Sequence, residues 1–178
     1  MGLGGYFTQN LSDDPGAIRI IQQAIDLGIT FIDTAEAYGA GHTEELIGEA
    51  IQGQRQKIFL ATKVSPEHLK AQDVVYAAER SLKRLKIDCI DLYQIHWPHP
   101  AIPLGETLAA MEKLRAAGKI RFVGVSNFSL AQLKEAQAHG LAISSLQSEY
   151  NLFDRSLEKE ILPYCKEQEI CLLAYSPL

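Results

Sequence analysis

Four polar side chains end strand-like runs of this sequence, and together they carry the groups needed to reduce a carbonyl with a hydride. The runs are FIDTAEAYG, FLATKV and LYQIHW, and the side chains are Asp33, Tyr38, Lys63 and His96. Each run is apolar, β-branched or aromatic and finishes on a polar group at the carboxyl end of a predicted strand. The catalytic residues of a (β/α)8 barrel lie at that end of its strands. The pattern therefore predicts one site at the mouth of a barrel.

Tyr38 is the candidate general acid, because a phenol can give a proton to a carbonyl oxygen as a hydride arrives. The ordinary pKa of a phenol is about 10, and an adjacent ammonium such as that of Lys63 would stabilise the phenolate. A buried lysine tends to lose its charge, and Asp33 can supply the carboxylate that keeps it protonated. His96, as a neutral imidazole, can orient the carbonyl with a hydrogen bond. This chemistry requires no metal.

Taken singly, the same residues have structural interpretations. Asp33 and Lys63 could form a structural ion pair. Tyr38 could be a half-buried loop aromatic, and His96 a core histidine beside a Trp97 that only packs. The four residues together favour catalysis over these interpretations.

Other kinds of site fit the sequence poorly. His96 and His99 in HWPHP have no evident third ligand for a metal. The glycine-rich GLGG and GAGH match neither GxGxxG between a strand and a helix nor a motif ending in GK[ST]. Ser126 has no GxSxG setting, which argues against a serine hydrolase.

Strand-like and helix-like segments alternate with a period of roughly 30 residues, which is typical of βα units and a parallel sheet. The predicted strands contain TFIDT, IFLATKV, CIDLYQIHW, FVGVSNF, LAISSLQSEY and ICLLAYSP, with MGLGG as the proposed tail of a first strand. Asp14, Thr43 and Ser129 are the predicted caps of three helices. A further helix is predicted over about 71 to 86, with an apolar inward face and a basic outward face: Val74, Ala78, Leu82 and Leu85 face inward, and Arg80, Lys83 and Arg84 largely outward. The spacing predicts an α/β fold, a TIM (β/α)8 barrel with about seven strands.

A closed barrel needs eight strands in about 250 residues, and this chain has 178. We therefore expect one domain over residues 1–178 that lacks the last strand, helix and loops of the barrel. Such an open sheet would expose its edge and one flank of its core.

Composition and charge exclude several classes. The chain is 47% hydrophobic with a net charge of -5, and its scattered basic residues do not predict a nucleic-acid footprint. No apolar stretch is long enough for a membrane helix and no signal peptide is evident, which predicts a cytoplasmic protein. Three cysteines, Cys89, Cys165 and Cys171, stand in apolar contexts and are interpreted as core thiols.

Five motifs occur in the order and spacing of one known family. DTAEAYG, ATKV, QIHW, GVSNF and AYSPL resemble the aldo-keto reductase superfamily over essentially the whole chain. The resemblance implies NAD(P)H-dependent reduction of aldehydes or ketones, with Asp33, Tyr38, Lys63 and His96 as the catalytic tetrad. Tyr38 is then the proton donor, and a small-molecule carbonyl compound is the substrate.

The resemblance also implies a cofactor site. Ser126, Asn127 and Gln147 match positions that hold the nicotinamide carboxamide, and Tyr175 matches the residue that stacks on the ring. Two further residues, Ser176 and Leu178, resemble positions near the pyrophosphate. NADP is the cofactor expected from the family, with NAD as the alternative, because the family's adenine-binding loop falls beyond residue 178. Oligomeric state does not follow from the sequence.

A different class of function stays open. The chain could be a regulatory or non-catalytic nicotinamide-binding subunit, or an inactive fragment of a reductase. Rapid reduction of carbonyl compounds by the protein would argue against that alternative.

Overall fold

The chain alternates helices and strands, as the sequence predicts. The computed structural model describes residues 8–177, and that range contains six helices and six strands. The helices are α1 (Asp14–Asp26), α2 (His42–Ala50), α3 (Ala71–Leu85), α4 (Leu104–Ala116), α5 (Leu130–Ala138) and α6 (Ile161–Glu167). The strands are β1 (Phe31–Asp33), β2 (Phe59–Val64), β3 (Ile90–Ile95), β4 (Ile120–Ser126), β5 (Ser145–Glu149) and β6 (Cys171–Tyr175). Six of the predicted strands are thereby confirmed, and MGLGG lies outside the described residues.

The strands form one parallel sheet whose order follows the chain, β1-β2-β3-β4-β5-β6. A doubly wound sheet reverses its strand order at a switch point, whereas a (β/α)8 barrel adds each new strand on the same side of the previous one. The observed order has no reversal. The fold is therefore an incomplete (β/α)8 barrel, in agreement with the prediction.

The sheet is strongly curled. Gln147 on β5 donates from Nε2 to Oδ1 of Asp33 on β1 at 3.1 Å. In a flat sheet these two strands would lie four spacings apart, or about 19 Å. Phe31 of β1 and Leu173 of β6 also line the same cleft. The curl gives the sheet a concave face, onto which side chains from distant strands converge.

The helices pack on the opposite, convex face. The predicted inward face of α3 is confirmed, because Val74, Ala78, Leu82 and Leu85 are all buried. They belong to one apolar cluster that also contains Tyr93 of β3. Each leucine buried in this way stabilises the fold by about 2 kcal/mol relative to an exposed one. Within residues 8–177, no helix has the length and apolar character that a membrane crossing requires.

Two of the three predicted caps are wrong by one or two residues. The cap of α1 is Asp13, whose Oδ1 accepts from the backbone N–H of Gly16 at 3.0 Å, and not Asp14. The cap position of α2 is Gly41 and not Thr43. The third prediction is confirmed, since Ser129 caps α5 and forms a capping box with Gln132.

Two expectations about side-chain placement are also corrected. Arg84 was expected to point outward from α3, yet its Nε donates to the fully buried Glu44 at 2.7 Å. The buried carboxylate requires a cation, and Arg84 supplies it.

Of the predicted core thiols only Cys165 is buried. Cys89 is half-buried, and Cys171 is exposed on β6, the last strand of the sheet within residues 8–177.

Candidate active site

The residues predicted to carry the chemistry meet at the carboxyl ends of the strands. Asp33 ends β1, Lys63 lies one residue before the end of β2, and His96 directly follows β3. Tyr38 begins a short 3-10 turn, Tyr38–Gly41. A cleft of about 600 Å³ opens at this end of the sheet. It is lined by Phe31, Asp33, Tyr38, His96, Trp97, Ser126, Asn127, Gln147, Leu172, Leu173, Ala174 and Tyr175.

Lys63 and Asp33 form an ion pair at the floor of this cleft, and Asp33 itself lines the cleft. The Lys63 side chain is fully buried, and its Nζ lies 2.5 Å from Oδ2 of Asp33. The same Nζ donates to the carbonyl oxygen of Thr34 at 2.9 Å. Burial lowers the pKa of Lys63, because the charged form loses its hydration, and the carboxylate of Asp33 opposes that change. The site thus contains an ammonium that gives up its proton more readily than an exposed lysine does.

Asp33 is fixed from the other side by two amides. Its Oδ1 accepts from Nε2 of Gln94 at 3.2 Å and from Nε2 of Gln147 at 3.1 Å. Since Oδ2 is taken by Lys63, both oxygens of this carboxylate are hydrogen-bonded. These bonds leave the carboxylate little rotational freedom, so it holds the ammonium in one place.

Tyr38 lies between the ammonium and the imidazole. Its ring centroid is 5.3 Å from Nζ of Lys63. The ring also meets that of His96 edge to face, with centroids 5.6 Å apart and an angle of 82° between the planes. The turn that follows is strained, because the non-glycine residue Ala40 has a φ of 52°. The three groups are therefore close enough to act on one small molecule in the cleft.

His96 is neutral over the physiological pH range. Burial and the nearby ammonium of Lys63 lower the pKa of its imidazole from 6.5 to about 4. Its backbone N–H donates to the carbonyl of Val64 at 3.0 Å, which ties the residue to the end of β2. A neutral imidazole facing the cleft can donate one hydrogen bond without carrying a charge.

The predicted cofactor residues form the opposite wall. Oη of Tyr175 donates to Oδ1 of Asn127 at 2.9 Å. Nδ2 of Asn127 in turn donates to the carbonyl of His96 at 3.1 Å and to Oγ of Ser126 at 3.0 Å. Ser126, Asn127, Gln147 and Tyr175 are thus brought together along one side of the cleft.

Two residues of the predicted cofactor site lie apart from that wall. Ser176 is not among the residues that line the cleft, and its carbonyl accepts from Nδ2 of Asn151 at 3.1 Å. Leu178 lies outside the described residues. Within residues 8–177, no group of three or more His, Cys, Asp or Glu side chains is arranged to hold a metal.

Sequence reasoning missed Gln94 and assigned Trp97 only to packing. Gln94 is fully buried and bonds Asp33, and its signal was a polar residue in the apolar run CIDLYQIHW. Gly124, the register neighbour of Gln94, leaves room for the side chains around it, because a Cβ there would lie 2.3 Å from Oγ of Ser145 and 3.0 Å from Cγ of Gln94. Trp97 lines the cleft and is 49% exposed. Large exposed aromatic side chains of this kind often mark binding surfaces.

The sequence as a whole matches a single family. The model of the Aldo/keto reductase family matches residues 1–178, and the chain belongs to this family. It is 44% identical over 177 residues to the aldo-keto reductase YhdN of Bacillus subtilis, covering 94% of this chain and 53% of that protein. It is 41% identical over 175 residues to the methylglyoxal reductase YeaE of Escherichia coli, covering 97% of this chain and 61% of that protein. The chain thus spans between half and two thirds of the length of these relatives.

Solved structures of the family have the same fold. The thermostable aldo-keto reductase Tm1743, solved with the inhibitor epalrestat, matches with a TM-score of 0.96 and 46% identity, over 98% of this chain and 65% of that one. An aldo/keto reductase from Klebsiella pneumoniae, solved with NADP and acetate, matches with a TM-score of 0.87 and 37% identity. That match covers 96% of this chain and 60% of the Klebsiella chain. The incomplete barrel therefore corresponds to part of a complete aldo-keto reductase barrel.

Proposed function

We propose that this protein reduces aldehydes or ketones to alcohols with NADPH. The observation that carries the proposal is the buried Lys63 ammonium, paired with Asp33 and close to the ring of Tyr38, with the neutral His96 at the edge of the same phenol ring. Reduction adds a hydride to the carbonyl carbon and a proton to its oxygen. A bound nicotinamide supplies the hydride, and Tyr38 gives its hydroxyl proton to the oxygen.

Lys63 and Asp33 support that proton transfer. The ammonium near the ring stabilises the phenolate that Tyr38 becomes once its proton has left. Asp33 keeps the ammonium charged in a buried position, since a lone buried charge would be lost to deprotonation. The pair thus has the chemistry to make a phenol act as an acid near neutral pH.

His96 is assigned to the substrate oxygen. With its pKa at about 4 it remains neutral, so it can donate a hydrogen bond to the carbonyl without competing as a proton donor. This bond would orient the carbonyl and stabilise the negative charge that develops on the oxygen.

The polar wall of the cleft fits a nicotinamide. A carboxamide both donates and accepts, and the hydroxyl of Ser126 and the amides of Asn127 and Gln147 offer matching groups. The aromatic face of Tyr175 suits one side of the ring. Ser176 and Leu178 are assigned to the pyrophosphate from the family resemblance. Klebsiella relatives were solved with NADP and with NADPH, which favours NADP over NAD.

Replacing Tyr38 tests the proposal. Tyr38→Phe keeps the ring but removes the proton donor, and we expect turnover of a carbonyl panel to fall roughly 1000-fold. Since a relative is named a methylglyoxal reductase, methylglyoxal belongs in that panel. NADPH binding, followed by its fluorescence, should be retained because the cofactor wall is untouched.

The matched control is Tyr76→Phe, which removes the hydroxyl of an exposed tyrosine on α3. Its turnover should equal that of the unmodified protein. Unchanged turnover in Tyr38→Phe would overturn the assignment of the acid. Tight NADPH binding by the unmodified protein, with no turnover of any carbonyl, would instead favour the non-catalytic nicotinamide-binding alternative. The cytoplasmic location expected from the sequence stays a prediction.

A further inference from the structure

Glu36 is a buried carboxylate in the loop that joins Asp33 to Tyr38. It is only 8% exposed, and it lies two residues before the candidate acid. A carboxylate is costly to bury unless it is hydrogen-bonded and neutralised. Its contacts therefore indicate what it does at this position.

Glu36 joins its loop to the end of β2 at two successive points. Its backbone N–H donates to the carbonyl of Lys63 at 3.2 Å. Its side-chain Oε1 accepts from the backbone N–H of Ser65 at 2.8 Å. One residue thus extends the contact between β1 and β2 beyond the last strand pair, first through its backbone and then through its side chain. Glu36 thereby contacts the end of the strand that carries Lys63.

A histidine and an arginine complete the surroundings of this carboxylate. Nδ1 of His68 lies 2.9 Å from Oε1, and Nη2 of Arg80 on α3 lies 3.6 Å from Oε2. These contacts offset the cost of burying the charge and connect the loop to the helical layer. The loop is consequently fixed to both the sheet and α3 just before the chain reaches Tyr38.

We propose that Glu36 is a positioning residue that holds the Tyr38 hydroxyl at its working distance from Lys63. Glu36 does not line the cleft and acts only through the loop. The inference rests on the proposed function for its catalytic consequence. Its geometric consequence, the placement of the Tyr38 ring against His96, is independent of activity.

Three substitutions isolate the contact to Ser65. Glu36→Ala removes the oxygen that accepts the Ser65 N–H, while Glu36→Gln retains a side-chain oxygen at the same distance from the backbone. Ser65→Pro removes the donor N–H, and Ser65 already has a φ of -70°, which proline can adopt. We expect kcat to fall roughly 100-fold in Glu36→Ala and in Ser65→Pro, because small misplacements of a reacting group have effects of that size. Glu36→Gln should stay within a few-fold of the unmodified protein, and the KM for NADPH should stay constant throughout.

The double variant Glu36→Ala with Ser65→Pro sharpens the test. If the two residues act through one hydrogen bond, the double variant loses no more turnover than either single variant. The matched control is Glu106→Ala, which removes another carboxylate that accepts a backbone N–H, that of Ala71 at 2.8 Å, away from the cleft. Its kcat should be unchanged. Multiplying losses in the double variant, or an equal loss in Glu106→Ala, would overturn the inference.

An NMR measurement keeps this test separate from the test of the proposed function. The ring protons of Tyr38 and His96 should show a cross-relaxation peak in the unmodified protein, assigned by its move from a tyrosine to a phenylalanine ring frequency in Tyr38→Phe spectra. The peak should persist in Glu36→Gln and weaken in Glu36→Ala and Ser65→Pro. If the unmodified protein reduces no carbonyl, the proposed function fails, but the peak still decides the role of Glu36. A peak of full intensity in Glu36→Ala would overturn that role whatever the activity.

Discussion

Two carboxylates, one at each end of the same sheet, are held by cations of different kinds. Asp33 at the carboxyl ends bonds Lys63 at 2.5 Å. Asp91 lies at the amino ends, where its Oδ2 accepts from Arg55 at 2.5 Å and its Oδ1 from Arg121 at 2.8 Å. The side chain of Asp91 is 4% exposed, against 27% for Asp33. The deeper carboxylate is thus held by arginines and the one beside the cleft by a lysine.

The kind of cation decides what each cluster can do. A guanidinium stays charged at any pH the protein meets, whereas a buried ammonium can lose its proton. Burial lowers the pKa of Lys63. Burial alone would raise the pKa of Asp91, but the Leu60 N–H and the two guanidiniums lower it below its ordinary value. The Asp91 cluster therefore holds fixed charges and stabilises the fold, while the Asp33 cluster contains groups that can exchange protons.

Replacing the lysine should separate these roles most strongly. Lys63→Met removes the ammonium but fills the same space, and we expect turnover to fall roughly 1000-fold because the acid loses its support. Asp33 keeps both amide donors and its side chain is 27% exposed to the cleft, so its charge stays partly hydrated without the ammonium, and the free energy of unfolding should change by less than about 2 kcal/mol. Steady-state kinetics and urea denaturation measure the two quantities.

The control for this variant is Lys86→Met. Lys86 also contacts a carboxylate, that of Glu49, but both side chains are about half exposed. Neither turnover nor stability should change measurably, since surface ion pairs contribute little. A Lys63→Met variant with full turnover and a large loss of stability would reverse the distinction drawn between the two clusters.

Replacing the carboxylate at the other end should have the opposite outcome. Asp91→Asn places an amide N–H₂ next to a guanidinium and removes the charge that two arginines share. We expect the free energy of unfolding to fall by about 3 kcal/mol, as for other broken buried pairs. Turnover per folded molecule should stay within about twofold, because Asp91 is at the end of the sheet remote from the cleft. Urea denaturation and turnover normalised to folded protein test both statements.

Glu112→Gln is the matched control for that substitution. Glu112 also bonds an arginine, Arg115, at 2.9 Å, but on the exposed surface of α4. Loss of this pair should leave the urea midpoint unchanged. Equal destabilisation in the two variants would mean that burial is not what makes the Asp91 cluster strong.

The fold could be predicted because its signals are local. Most strands are apolar runs, and helices such as α1 and α3 have an apolar face with a period of 3.6 residues. One failure occurred where two neighbouring residues offer the same local chemistry. Asp13 and Asp14 can both cap a helix, and only the position of the Gly16 N–H decides between them. The pairing of Glu44 with Arg84, 40 residues apart, also left no local pattern from which to predict that Arg84 turns inward.

The site was predictable in part for the same reason. Asp33, Lys63 and His96 interrupt or end apolar runs, so their placement at the strand ends followed from the sequence. Gln94 and Glu36 were missed because their importance depends on partners that only folding brings near. Gln94 bonds a residue 61 positions away and Glu36 one 29 positions away. Motif resemblance identified most of the residues that line the cleft, but it did not single out Gln94 and Glu36 within the same motifs.

The prediction with the smallest expected effect compares two histidines, His96 in the candidate active site and His42 outside it. Burial and the Lys63 ammonium lower the pKa of His96 to about 4. Burial also acts to lower the pKa of His42, but its hydrogen bonds to Asp14 and Glu45 raise it above 6.5. NMR titration of the imidazole resonances, assigned with His96→Gln and His42→Gln, should show midpoints on opposite sides of 6.5.

The two shifts should act on stability in opposite directions. Folded His96 binds fewer protons than unfolded His96 between pH 6.5 and about 4, so it lowers stability as the pH falls through that window. His42 contributes stability that is complete below pH 6.5 and is lost as the pH rises through its raised pKa. His42→Gln should therefore destabilise the protein most in acid, and His96→Gln should relieve part of the acid sensitivity. A midpoint for His96 near 6.5 would remove the basis for a neutral imidazole at the substrate oxygen, because the residue would then carry charge through much of the physiological range.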